Sequence, residues 1–510
     1  MSVEMIKQIE CFASEHLKLY AYGAGYYGKI FVNLANLLGI KINGFLVTNK
    51  ERNMDNYCDY PVYDILDISL ENSGIVLTVS EDKHKEIIDF LQRHGNKSDI
   101  LYFTDNSIQK CISKLWNQNY IDRILNNSTK YDKNNPIRIA IFTHCTGMMG
   151  ASRSLMENIM FWSMRQDTSL LVITHEYGEL NDNLEKMGIV NLIYNFHWWA
   201  NKPDEIKNNE KKIICDIAWL LLKLNINVCY SNGSVIDIGA RVAEKIKTPH
   251  IWHIREFAIS HYGFEFIGGN ISALKYIQSS SCKVLFTSKA LKNGYEEIIG
   301  KHDNFLVIYD GVSSKGIKMH NEKYKVGDKL KIVMIGCVDE GKNQLDVIKA
   351  LNILARKGIY AFEVHFYGPE DEQYKIKLKK LIKKYNLYNN VFFHGYVDDV
   401  RSRMSKYSIG IMSSKKEAFG RATVEYLMAG LITIATNTGA NVEILKNGKY
   451  GMLYSYGHPE ELASCLYNIL SNCDELVRNS VSIRKETIER FLPENTANQI
   501  IEVFRQSIKD

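Results

Sequence analysis

Several things are scarce in this 510-residue sequence, and each scarcity removes a class of function. Its ten cysteines are scattered, with no C-x-x-C pair and no short Cys/His cluster, which argues against structural zinc and a disulfide framework and fits a reducing compartment. Net charge is only +5, from 63 basic and 58 acidic residues, so nothing in the charge points to nucleic acid. Long apolar runs are missing too. The most apolar stretch, Ile213 to Leu224, carries charges and is shorter than a bilayer span. The opening residues, MSVEMIKQIECFASEH, lack the apolar core of a signal peptide. The expected location is therefore cytoplasmic, with contact at the inner face of the cell membrane left open. No D-x-D stands at a strand end; Asp399 falls in a turn within Val397-Asp-Asp-Val.

What is present is an alternation of short apolar strands and amphipathic helices, repeated three times. It predicts an α/β chain with parallel sheets. Residues 1–125 form the first unit. Strand Leu17–Tyr22 leads into Gly23-Ala-Gly25-Tyr-Tyr-Gly28 and a helix to about Leu38. A second strand is expected at Lys41–Val47, with others at Ile75–Val79 and Ile100–Phe103. This is the setting of a dinucleotide-binding glycine turn. Thr48-Asn49-Lys50 stand where the ribose-binding acid would be, so the turn reads first as structural and second as a nucleotide or nucleotide-sugar site. Residues 126–136 are polar and aperiodic, a linker.

The second unit, 137–315, opens with strand Ile137–Phe142 and a glycine loop, Thr143-His-Cys-Thr-Gly147-Met-Met-Gly150-Ala151, at a helix start. Trp252-His253-Ile254-Arg255-Glu256 closes a later strand, the end at which open α/β sheets bind ligands. His253 and Arg255 are cleft candidates there; the plainer alternatives are a structural histidine and an ordinary ion pair. Two aromatic stretches, Phe196-His-Trp198-Trp199 and Tyr262-Gly-Phe264-Glu-Phe266, fit sugar stacking, a membrane interface or core packing.

The third unit, 328–490, begins Leu330-Lys-Ile-Val-Met-Ile-Gly336, followed by Lys342 and a helix. Its most informative stretch follows strand Ile409–Met412. Glu417-x-Phe419-Gly420-Arg421-x-x-x-Glu425 passes from a loop into a helix. Arg421 and Glu425, four apart, share a helix face. The helix N-terminus suits a phosphate, and carboxylates nearby suit sugar hydroxyls. Residues eight apart on a continuous helix are separated by ~12 Å along its axis; the loop start alters that distance, but the pair does not stand out as a hydrolase pair, which needs ~5–9.5 Å. Helices are expected at Glu460–Leu470 and Asp474–Arg490, and residues 491–510 form a terminal helix.

The ordered set, with Asp310-Gly311-Val312, Gly395, Ala429-Gly430, Thr438-Gly439-Ala440 and Glu443, resembles the GT-B glycosyltransferases, specifically the large retaining family 4. The resemblance covers Ile137 to Asp510. It implies two Rossmann-like domains facing a cleft, preceded by a third small Rossmann-like domain, with residues 491–510 crossing back to the first cleft domain. It implies Glu417 on the donor sugar, with the N–H groups of Phe419 and Gly420 near sugar and phosphate. Glu425 would take the ribose and Lys342 the diphosphate; Gly150, Ala151, Gly336 and Gly439 would let backbone approach the donor. One departure is Cys337, where the family usually has arginine; Arg421 is expected to compensate. The activity implied is metal-independent, retaining transfer from a UDP- or GDP-sugar to a glycan, polymer or lipid-linked acceptor in surface polysaccharide synthesis. No cofactor is implied beyond the nucleotide-sugar substrate. Two other readings are an NAD-dependent dehydrogenase or epimerase working through Gly23, Gly25 and Gly28, and a non-catalytic scaffold.

Overall fold

The computed structural model describes residues 2–49, 55–96, 98–102, 105–125, 129–200, 207–259, 263–320, 329–397 and 399–509. The expectations placed on Lys50, Phe103, Asn126–Ser128 and Tyr262 fall outside these residues.

Three sheets follow one another along the chain. The first runs in the order Asn56–Tyr57, Tyr60–Asp64, Gly44–Val47, Lys18–Tyr22, Ser73–Leu77, Asp99–Tyr102. All its pairs are parallel except the edge hairpin of Asn56–Tyr57 and Tyr60–Asp64. That hairpin was not expected, and the second strand is shorter than the pattern suggests, Gly44–Val47. The second sheet is ordered Phe305–Val307, Lys283–Phe286, His250–Ile254, Val228–Asn232, Ile137–Thr143, Thr168–Thr174, Val190–Ile193. The third is ordered Val391–Phe393, Phe362–Tyr367, Leu330–Ile335, Ile409–Met412, Ile432–Thr436, Met452–Tyr454. Both are wholly parallel, and their strands are runs of Ile, Val, Leu and Phe because helices cover both faces.

In each sheet the first strand lies inside, with later strands added to one side and then to the other. Two crossovers therefore leave in opposite directions at one point, opening a crevice at the carboxyl ends of the strands. In the second sheet that point lies between Ile137–Thr143 and Val228–Asn232; in the third, between Leu330–Ile335 and Ile409–Met412.

The first domain is fused to the second through helix Asp105–Leu125. The sequence does not announce this helix, because its apolar residues form no single stripe. Ile108, Cys111 and Ile112 are buried in the core that also holds the first-sheet helices, while Trp116 and Asn117 reach the other domain. Trp116 Nε1 donates to the carbonyl and side-chain oxygens of Asn191, both at 3.1 Å. Asn117 donates to Ile193 O and accepts from Ile193 N, each at 2.7 Å. Val190–Ile193 is the outer strand of the second sheet, so Asn117 satisfies backbone groups that would otherwise stand unpaired.

The last helices tie the second and third sheets together. Two helices were expected before Phe491; the structure has one, Pro459–Arg490. The chain then turns into Pro493–Lys509, which lies on helix Gly150–Ser163 of the second domain. Trp162 is fully buried there, donating to Ala497 O at 3.0 Å with its ring 5.4 Å from Phe504. Gly311 is required where the chain crosses: a Cβ would stand 2.3 Å from Pro493 Cα.

Candidate active site

A cleft of about 480 Å³ lies between the second and third sheets, at both reversal points. On the third-sheet side, strand Leu330–Ile335 ends at Gly336, with φ +147. The Lys342 side chain lies across this glycine; an added Cβ would stand 3.3 Å from Lys342 Cε. Asp339 Oδ1 accepts from Lys342 N at 2.8 Å, fixing the loop, and Ser413 Oγ donates to the carbonyls of Lys342 and Asn343 at 2.8 and 3.0 Å. Lys342 Nζ stands 2.5 Å from Glu417 Oε1, an ion pair on the cleft wall.

Glu417 is held by its backbone. Ala440 N donates to Glu417 O at 2.9 Å, and a Cβ on Gly439 would come within 2.3 Å of that oxygen. Gly439 has φ +57 and does not line the cleft; it lets the Glu417 loop lie against the next loop. Phe419 and Gly420 follow on the wall, and Gly420 adopts φ +84 to start helix Arg421–Met428. Glu425 is buried one turn in, with Oε1 3.3 Å from Arg401 Nε and 3.4 Å from Arg421 Nε.

Arg421 starts the helix, lines the cleft and lies beside Glu425 as expected, but its guanidinium is engaged elsewhere. Its terminal nitrogens donate to Glu157 at 2.9 and 2.6 Å and to Ser154 Oγ at 3.2 Å, on the opposite domain. The guanidinium is buried, which works against its charge, yet Glu157 and Glu425 beside it hold it charged above its ordinary range. Both ends of the fork are committed, so Arg421 bridges the domains instead of standing free at Cys337. Cys337 lines the cleft, and burial pushes its thiol up. Glu443 makes a second bridge. Its carboxylate accepts from Ala290 N at 2.8 Å and Tyr309 Oη at 2.6 Å, capping helix Lys289–Ile299 of the other domain.

On the second-sheet side, Gly150 and Ala151 begin helix Gly150–Ser163 and line the cleft. Nothing stands within 4 Å of a Cβ at Gly150, so this helix end is open. His253, expected in the cleft, lies outside it. It is completely buried and bonded through Nδ1 to Tyr230 Oη at 2.6 Å. Burial, then the adjacent Arg255, hold it well below the usual histidine range, so it is a neutral core residue. Arg255, two residues on, does reach the cleft, but is paired with Asp310 and donates to Asn232 Oδ1 at 2.8 Å. The aromatic stretches divide: Trp198 and Phe264 line the cleft, whereas Phe196 and Phe266 are buried and Trp199 packs on Trp252 and Phe266. Sequence reasoning overlooked His144, Glu157 and Arg401. His144 was findable, as the first residue beyond the first strand of its sheet.

The first-domain glycine turn looks different. A Cβ at Gly23 would stand 2.6 Å from Val79 Cγ1, and one at Gly28 would stand 2.3 Å from Gly23 O. Gly25 precedes the helix; Tyr57 Oη donates to its carbonyl at 3.1 Å. Tyr26 Oη donates to Tyr177 O at 3.2 Å, and Lys29 pairs with Asp182 at 3.0 Å, both on the second domain. A cavity of about 820 Å³ does exist in this domain, but it is lined by residues such as Leu17, Leu66, His94 and Asp99, away from the glycines. Among the described residues there is no group of three or more His, Cys, Asp or Glu able to hold a metal ion, and no helix long and apolar enough to cross a membrane.

Residues 317–485 match the family model described as Glycosyl transferases group 1. Protein CapJ of Staphylococcus aureus is 29% identical over 238 residues, which are 43% of this chain and 58% of that protein. Poly(glycerol-phosphate) alpha-glucosyltransferase of Bacillus subtilis is 23% identical over 45% of this chain and 35% of its own length. The chain thus spans little more than half of the first of these relatives and about a third of the second. Among solved structures, Anabaena Alr3699/HepE in complex with UDP superposes with a TM-score of 0.61 at 18% identity, over 72% of this chain and all of its own. A glycosyltransferase from Rickettsia africae gives 0.62 at 20%, over 74% of this chain and all of its own. The second and third sheets, with the cleft between them, are a GT-B fold, and the first sheet is a smaller domain added at its N-terminal side.

Proposed function

We propose that this chain is a retaining glycosyltransferase that moves a sugar from a UDP- or GDP-sugar to a glycan, polymer or lipid-linked acceptor. The observation that carries this is the Lys342–Glu417 pair, 2.5 Å apart where the third sheet's strand order reverses. It faces the open helix end at Gly150 across the cleft. A diphosphate entering there takes Lys342, and the sugar hydroxyls take Glu417. Lys342 then stabilises the charge that develops on the leaving phosphate. The N–H groups at Phe419, Gly420 and the start of helix Arg421–Met428 add positive potential on the same wall. Glu425 takes the ribose, sharing its carboxylate between Arg401 and the hydroxyls. The acceptor hydroxyl attacks from the leaving-group face, and the departing phosphate receives its proton. The reading calls on no metal, because Lys342 and two helix ends neutralise the diphosphate. The names of structural neighbours support a uridine nucleotide: Alr3699/HepE has the same fold and is described with UDP and glucose, and with UDP-glucose.

The test is a screen of UDP- and GDP-sugars for nucleotide release. Release from at least one donor, reduced at least ~10²-fold in Lys342→Ala, is the expected result. No release from any donor, with or without added saccharide acceptors, contradicts the reading.

A further inference from the structure

The reversal point of the second sheet carries chemistry that the donor residues leave unused. His144 is the first residue beyond strand Ile137–Thr143, and Gly233 the first beyond Val228–Asn232. The two lie together, since a Cβ at Gly233 would stand 2.6 Å from His144 Cε1. Glycine at this place is what leaves room for the imidazole in the crevice. His144 Nδ1 is shut from solvent. Burial, partly offset by Glu256 and by the backbone at Asn232, holds the ring below the usual histidine range, so it is neutral at pH 7. The nitrogen left towards the cleft is Nε2, which accepts or donates a hydrogen bond according to which ring nitrogen carries the proton.

Beside this nitrogen stands an aromatic wall. Trp198 meets the His144 ring edge-on, with centroids 5.2 Å apart and planes at 87°. Phe264 packs on Trp198 at 6.1 Å, and Phe257 and Val235 line the same end of the cleft. The charged groups here are already engaged. Glu256 Oε1 accepts from Ser234 N and Oγ, both at 2.5 Å, and Arg255 is paired with Asp310. Lys416, from the opposite domain, lies over the Phe257 ring at 4.3 Å. An apolar wall next to one neutral imidazole suits a ligand with a C–H face and hydroxyl groups, which is a pyranose. It does not suit a phosphate, which needs uncommitted cations and bidentate donors.

We propose that His144, Trp198 and Phe264 form the subsite for a neutral pyranose ring of the acceptor, its C–H face on the two aromatic rings and one hydroxyl hydrogen-bonded to His144 Nε2. This rests on reading the cleft as that of a glycosyltransferase. It makes the terminal acceptor unit a sugar, whatever chain or lipid lies behind it. His144 is a positioning residue for that sugar, placed across the cleft from Lys342 and Glu417.

Saturation-transfer NMR on the full chain, loaded with UDP or GDP, tests this. The probes are methyl pyranosides of glucose, galactose, mannose and N-acetylglucosamine, with glycerol 1-phosphate as the charged comparator. At least one pyranoside is expected to saturate, and its Kd to rise about tenfold in Trp198→Ala, the loss of one stacking face. Trp198→Phe restores much of the binding, His144→Ala weakens it, and nucleotide affinity stays unchanged in all three. Phe264→Leu gives the same direction in a variant with a milder change of volume. Saturation by glycerol 1-phosphate alone, by no probe, or by a pyranoside equally well in Trp198→Ala and Phe264→Leu overturns the subsite. Nucleotide binding without pyranoside saturation sinks this proposal alone. Pyranoside saturation that follows the variants, without nucleotide binding, leaves the subsite standing and sinks the glycosyltransferase reading.

Discussion

Two glycine turns of this chain sit at equivalent points of their sheets and do different things. Both Gly23 and Gly336 end a first strand, where later strands depart to either side, and both have positive φ. The room above Gly336 is taken by the Lys342 side chain, whose flexible end reaches Glu417 and the cleft. The room above Gly23 is taken by Val79 and by the carbonyl of Thr78, whose hydroxyl also donates to Tyr22 O and Gly23 O at 2.9 and 3.1 Å. The same backbone device serves a movable cation in one sheet and a closed seam in the other. A strand–glycine–helix pattern therefore speaks for the fold; what fills the crevice decides on the ligand.

This contrast can be broken or sharpened by substitution. Lys342→Ala should cost ~10²–10³ in kcat, as removal of a charge-stabilising group does, with thermal unfolding unchanged; steady-state nucleotide release measures it. Glu157→Gln should come next. It strips the bidentate partner from buried Arg421, leaving Glu425 at 3.4 Å to hold the charge. A loss of about 1–3 kcal/mol is expected in denaturant unfolding, and the domains should open further in solution scattering. Gly28→Ala places a methyl 2.3 Å from Gly23 O and 2.8 Å from the Phe45 ring. It should destabilise by about 1–3 kcal/mol, the overpacking range, while kcat per folded molecule stays constant. Gly25→Ala has the smallest expected effect: nothing stands within 4 Å of the new methyl, so stability and donor kinetics should both be unchanged. A rise in donor KM for Gly25→Ala would mean that the first turn binds nucleotide after all.

The features legible in the sequence were those written in local spacing. Strand Leu330–Ile335 with Gly336 and Lys342, and Glu417 through Glu425 around a helix start, are each fixed by neighbours a few residues away. The glycine loop before helix Gly150–Ser163 belongs with them. What escaped depends on partners far along the chain. Arg421 and Glu425 are four apart on one helix, which predicts an ion pair between them; the stronger partner, Glu157, lies 264 residues earlier. His253 was placed by the rule that strand ends face ligands. The rule sets the strand end but not which residue there clears the sheet, and here Tyr230 covers His253 while Arg255 emerges. Helix Asp105–Leu125 escaped because two domains cover it, which erases the one-sided apolar stripe that marks a surface helix. The pairing of His144 with Gly233 arises only when two strands lie side by side.

The most direct test of the account compares Lys342→Ala with Gly25→Ala in one assay: nucleotide release from the best UDP- or GDP-sugar found for the unmodified chain. The account predicts release reduced at least ~10²-fold by the first substitution and untouched by the second. Loss of release in Gly25→Ala with full release in Lys342→Ala would contradict it, moving the chemistry from the GT-B cleft to the first domain.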